Sequence, residues 1–212
     1  MKIDKSKFSW TYLTAAQYWD IYDILNSGNP DLNKQVQLVS LISGLEESQI
    51  WELPIEEATD LINQLSFLED FKLLDNFKPK SIKVGNLELK LIQDISKLTY
   101  AQYVDFQNYI QEPLRTNYYK VLSVFMVPKG SKYNEGYDLL DIQALIRENL
   151  TWQQVQSLLA FFLNKLVSLI VNSLTYCQLQ MKISKKKRQQ LEPHYQNLIQ
   201  QLHTLGSLCS KE

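Results

Sequence analysis

Leu13 to Asp20 reads LTAAQYWD, and 85 positions later Leu98 to Asp105 reads LTYAQYVD, with six of the eight residue types unchanged. A phrase repeated at that interval constrains the chain to two related halves, and its local chemistry says what each half begins with. Thr14 and Gln17 have the spacing of a capping box, in which the hydroxyl accepts from an early helix amide and the glutamine side chain returns to the cap amide. Leu13 and Tyr18 flank the box as a hydrophobic staple. Leu98, Thr99, Gln102 and Tyr103 repeat the arrangement, and Leu150, Thr151, Gln154 and Val155 form a looser third copy. Asp20 and Asp105 are not needed for the cap, and solvated positions are expected for both, away from the faces carrying Tyr18, Ile21, Tyr22 and Leu25 or Tyr103, Phe106 and Ile110.

The pattern predicts a mainly α protein. Only six glycines and six prolines occur in 212 residues, which favours long helices over a many-turned β fold. Hydrophobic residues make up 45% of the chain, enough for a real core. The net charge of −1 supplies no global field for nucleic acid or an anionic membrane. Cys177 and Cys209 lack metal-type spacing and suit a reducing cytoplasm. The amino terminus, MKIDKSKFSWTY, has no apolar run of signal-peptide length, which argues against secretion by that route.

Taken in order, residues 1–75 form the first helical repeat. Phe8, Trp10 and Tyr12 alternate with Ser9 and Thr11 and predict a short strand. One helix follows over about 14–26 and stops at SGNPD; the next carries Val36, Val39, Leu41 and Ile42 and ends at Gly44. After a short helix near Ile50, Pro54 with Glu56 and Glu57 opens another, with Ile55, Ala58, Leu61, Ile62, Leu65 and Leu68 as its expected buried face. Residues 76–96 are a linker with a β-hairpin at about 82–92: Ile82 and Val84 alternate with lysines, Gly85-Asn86 makes the turn, and Leu87, Leu89 and Leu91 alternate with Glu88 and Lys90. A lone hairpin is marginal, and the amino-terminal segment is a candidate third strand.

The second repeat spans 97–183, with an insertion at 127–149 where a functional loop would be sought first. From Thr151 a helix is expected to about Lys182, and its segment LLAFFLNKLVSLIV is apolar around most of its circumference, as a core helix is. Asn164 and Lys165 interrupt it too early for a membrane span. Residues 184–212 hold the basic cluster Lys185 to Arg188, which lacks interleaved aromatics and argues against nucleic-acid contact, and a final amphipathic helix. That helix sets Leu191, Tyr195, Leu198, Leu202 and Leu205 at spacings of four and three, an a/d seam that must lie against its own domain or another chain. These five are the candidate partner-binding residues.

No catalytic, cofactor-binding or metal-binding constellation is present in the linear sequence. There is no glycine-rich phosphate loop, nucleophile elbow or HExxH motif, the carboxylates are scattered, and His194 and His203 share no ligand cluster.

The order LT-x-AQY with an acidic residue, then VQLVSLISG, then ELPIEEATDLINQLSFL, resembles the tail-assembly chaperones, small helical proteins encoded beside the tape-measure gene in tailed bacteriophages. The resemblance covers about residues 10–70 and, more faintly, 95–170; the duplication and its hairpin depart from the family pattern. It implies a non-enzymatic protein, without cofactor or metal, that binds a tape-measure or other tail polypeptide in the cytoplasm of the infected cell. The alternative it implies is a structural subunit of the virion, such as a ring, connector or tail component. Self-association fits either, and neither involves a membrane.

Overall fold

A computed structural model describes residues 4–74, 77–183, 189 and 191–200. The protein is mainly α, with 66% of the described residues helical and a small antiparallel sheet between helical segments. Helices α1 (Ala15–Leu25), α2 (Asp31–Ser43), α3 (Glu47–Trp51) and α4 (Ile55–Gln64) precede strands β1 (Ser81–Val84) and β2 (Leu87–Leu91). Helices α5 (Tyr100–Tyr109) and α6 (Leu114–Phe125), strand β3 (Met126–Pro128), and helices α7 (Leu139–Asn149) and α8 (Trp152–Ile183) follow. Residues 191–200 are again helical.

The repeat is present in three dimensions as two helical hairpins, α1 with α2 and α5 with α6. Each opens on the complete Thr–Gln capping box, and each restarts at a proline N-cap, Pro30 or Pro113, where no backbone donor is needed. A further shared device closes each first helix. Lys34 Nζ donates to the Leu25 carbonyl at 3.0 Å, and Asn117 Nδ2 donates to the Tyr109 carbonyl at 2.6 Å. In both hairpins a side chain of the second helix thus satisfies one of the carbonyls that a helix end leaves without a partner.

The chain divides into two compact units that are not consecutive stretches. One comprises Met1–Phe77, Lys83–Leu87 and Asp138–Ser157; the other comprises Lys78–Ile82, Glu88–Tyr137 and Leu158–Glu212. In the first, Thr14 and Thr151 face each other in an antiparallel bridge. Ala15 N–H donates to the Leu150 carbonyl at 3.0 Å, and Trp152 N–H donates to the Leu13 carbonyl at 2.8 Å. Trp152 stacks on Tyr18 with centroids 3.9 Å apart. The first and third copies of the capping phrase are therefore paired with each other.

The strand expected at Phe8 to Tyr12 is not formed. Residues Lys5–Lys7 make a 3-10 turn capped by Asp4, whose carboxylate accepts from Ser6 N–H, and the chain then turns through Ser9 to Tyr12. Trp10 lies edge-on to Phe67 and Phe71 and donates its indole N–H to the Phe67 carbonyl at 2.7 Å. The aromatic alternation reflects that packing rather than a pleat. On α4, Leu61 is buried as expected, but Ile55 is 82% exposed, because it is the first helical residue after Pro54 and projects ahead of the packed face.

The second unit holds the sheet's pairing with β3. The register sets Leu89 opposite Pro128, Lys90 opposite Val127 and Leu91 opposite Met126. The third strand is thus β3, immediately after α6, and not the amino-terminal segment. Two flanking bonds extend the pairing, Ile92 N–H to the Phe125 carbonyl at 2.8 Å and Lys129 N–H to the Glu88 carbonyl at 2.9 Å. The core here is Phe106, Val121, Leu122, Phe125 and Phe162, with Phe125 stacked on Phe162 at 4.2 Å. Gln102 is fully buried: its Oε1 completes the cap of α5, while its Nε2 donates to the Val124 carbonyl at 2.6 Å at the end of α6.

Candidate functional site

Helix α8 is less enclosed than its composition predicts. Leu158, Leu159, Phe162, Leu166, Ile170 and Cys177 form one buried stripe, at helical spacing. Beyond Asn164 the remaining faces are open, and Leu169, Val171 and Tyr176 stand exposed. Among the described residues, Trp152–Gln178 is long and apolar enough to cross a membrane by length and composition, with 28% of that window buried.

Within the second unit, α5, α8 and the 191–200 helix enclose a cavity of about 400 Å³. Leu98, Tyr103, Phe106 and Ile110 form one wall, Leu166, Leu169 and Ile170 another, and Leu198 closes it. Thr99, Gln107, Ser173 and the hydroxyls of Tyr100 and Tyr103 are its polar groups, and among the described residues no charged side chain lines it. The volume falls within the range of ligand pockets, and the lining is mostly apolar. At its mouth, Tyr100 is 81% exposed and Tyr103 is 41% exposed. The expected burial of Tyr103 on the Phe106 and Ile110 face is thereby corrected: the staple ring sits at the edge of the cavity and not in the core.

Of the five residues of the carboxyl-terminal seam, Leu198 is 8% exposed and lines this cavity, so this residue packs on its own chain. Leu191 and Tyr195 are half-buried, and Tyr195 accepts from Gln178 Nε2 at 2.7 Å. Leu202 and Leu205 lie outside the described residues, as do Lys185 to Arg188 and His203. Among the described seam residues, Leu198 supplies part of the cavity wall. The rim residues Tyr100 and Leu169 were missed by sequence reasoning, although one signal pointed to the first: Tyr100 stands where the first copy of the phrase has the small Ala15.

The insertion contributes a second polar feature. Tyr133 donates its hydroxyl to Asp105 Oδ2 at 2.8 Å, so Asp105 is partly buried rather than solvated, whereas Asp20 is exposed as expected. Burial and the Asp105 carboxylate push the Tyr133 hydroxyl well above its ordinary 10.0. A phenol held protonated in this way is an anchor for its loop and not a base. Among the described residues no group of three or more His, Cys, Asp or Glu side chains could hold a metal ion.

No family model, no curated protein and no solved structure matches this chain.

Proposed function

We propose that this chain is a non-enzymatic binding protein that takes an apolar segment of another polypeptide, in the manner of a phage tail-assembly chaperone holding a tape-measure protein. The observation that carries the reading is the uncharged cavity between α5 and α8, with Tyr100, Tyr103 and Leu169 exposed around it. Apolar helix faces that form a groove recognise an amphipathic helix through anchors one turn apart. Aromatic rims supply large contact area at little conformational cost. The sequence resemblance supplies the identity of the partner. The cavity's volume limits the anchor to a few apolar side chains, so affinity would come from many weak sites along a long partner and not from one tight pocket.

Co-expression with the tape-measure product of the same genome tests the proposal. The expected result is that the tape-measure polypeptide becomes soluble and co-purifies, and that Leu169→Glu, which sets a charge in the apolar wall, abolishes co-purification. Failure of the unmodified chain to rescue or co-purify removes the proposal. Mass spectrometry of purified particles separates the virion-subunit alternative, which requires this chain at a fixed ratio to other tail proteins.

A further inference from the structure

Three extended segments lead into helices with the same capping box, at 13–15, 98–100 and 150–152. The first and third are joined as an antiparallel pair of the type in which the opposed residues, Thr14 and Thr151, exchange no bond and their neighbours carry both. That pairing buries Leu13, Ala15, Leu150 and Trp152. It also stacks the first residue of one helix, Trp152, on the fourth residue of the other, Tyr18.

The middle segment has the same backbone shape. Thr99 sits at φ −69 and ψ 160, against −70 and 158 for Thr14. Its surroundings differ. Thr99 and Tyr100 are exposed and Leu98 is half-buried. Among the described residues no backbone group donates to the Leu98 carbonyl or accepts from Tyr100 N–H. An extended edge that two sister copies use for pairing is here open to solvent, beside an apolar cavity.

We infer that this edge pairs with the same edge of a second copy of the chain, Thr99 opposite Thr99 across a two-fold axis. Each Tyr100 N–H then donates to the partner's Leu98 carbonyl, and each Tyr100 ring lies on the partner's Tyr103, in the relation Trp152 has to Tyr18. A two-fold requires a self-complementary surface. The bridge between Thr14 and Thr151 already joins two near-identical segments, so two identical ones satisfy the same geometry. Charge permits it as well: residues 98–104 carry no ionisable charge at neutral pH and, among the described residues, no charged side chain lines the adjoining cavity, so these residues bring no like charges together. Two backbone bonds and two aromatic pairs make a small interface, which sets the association in the weak class.

The inference does not rest on the tape-measure reading, and its test uses the purified full chain alone, so its failure leaves that reading standing. Sedimentation across the micromolar range should show the mass rising from 24.8 kDa to twice that value. Tyr100→Glu sets two carboxylates against each other while placing an acid in a first helical turn, where it favours the helix. It should weaken association by roughly tenfold or more, with the far-ultraviolet circular dichroism unchanged. Ile55→Glu, the same change at another exposed first helical residue, should leave association as it is. In a Cys209→Ser background, with Cys177 buried, Thr99→Cys should cross-link into a covalent dimer on oxidation, since opposed residues of this pair type lie about 4.5 Å apart at Cα. A mass that stays at 24.8 kDa, a Tyr100→Glu chain that associates as tightly as the unmodified one, or a dimer that does not cross-link at position 99 overturns the inference.

Discussion

Gln102 joins two helix ends with one side chain, and its counterpart Gln17 joins none. Both complete a capping box, but only Gln102 is fully buried and donates onward, to the Val124 carbonyl. Gln102→Leu removes the return bond to the cap and strands a buried carbonyl, so it should cost about 1–3 kcal/mol. Gln17→Leu should cost no more than about 1 kcal/mol. Urea denaturation of the two variants measures the difference, and equal losses would show that the Val124 contact contributes nothing. Tyr133 supplies a pH test. Its hydroxyl titrates higher in the folded chain than its ordinary 10.0, because burial and Asp105 oppose the phenolate. Below about pH 10 both states hold the proton and stability is unaffected; above it the unfolded state releases the proton first, so stability falls as pH rises. Tyr133→Phe should flatten that alkaline decline in melting temperature, while costing about 0.5–1.5 kcal/mol at neutral pH for the lost bond. The capping boxes were legible in the sequence because their bonds span three residues. The Gln102 to Val124 and Tyr133 to Asp105 bonds were not, since nothing local marks a partner 22 or 28 positions away.

The hairpin and α8 show what periodicity can and cannot settle for an element. Alternation placed β1 and β2 correctly, and Gly85 turns between them at φ +56. A Cβ there would meet the Leu145 side chain at 3.4 Å as well as force an unfavourable backbone. Gly85→Ala should therefore destabilise by about 1 kcal/mol or more, read as a lower denaturation midpoint with an unchanged slope. β3 escaped notice because three residues, Met126–Pro128, carry no alternation of their own and owe their conformation to β2. For α8 the apolar composition indicated burial all round, yet the helix buries a single stripe past Asn164. Phe162→Ala, which removes a ring stacked on Phe125, should cost about 3–5 kcal/mol. Leu169→Gln, on the open side, should stay within about 0.5 kcal/mol of the unmodified protein. A large loss at Leu169 would mean that this side is covered in solution.

At the scale of the whole molecule, each of the two repeated phrases opens a helical hairpin, while the compact units follow different boundaries. The segment Asp138–Ser157 belongs with residues that precede it by most of the chain's first half. Its Leu150 and Trp152 supply hydrogen bonds and a stacked ring to 13–18. A fragment ending at Phe77 lacks those groups and should show no cooperative thermal transition, whereas a mixture with a peptide covering 138–157 should recover one; a fragment that melts sharply by itself would refute this dependence. The sequence could not have disclosed the exchange, because the third phrase shares with the first only its leucine, threonine and glutamine at the same spacing, and spacing names no partner. Synthesis imposes an order on this architecture. As the nascent polypeptide leaves the ribosome, its earliest helices emerge seconds before Trp152 does. Through that interval the Leu13 carbonyl and the Tyr18 ring lack the hydrogen bond and the stacked indole that Trp152 later brings, so the amino-terminal hairpin is completed only after most of the chain has been made.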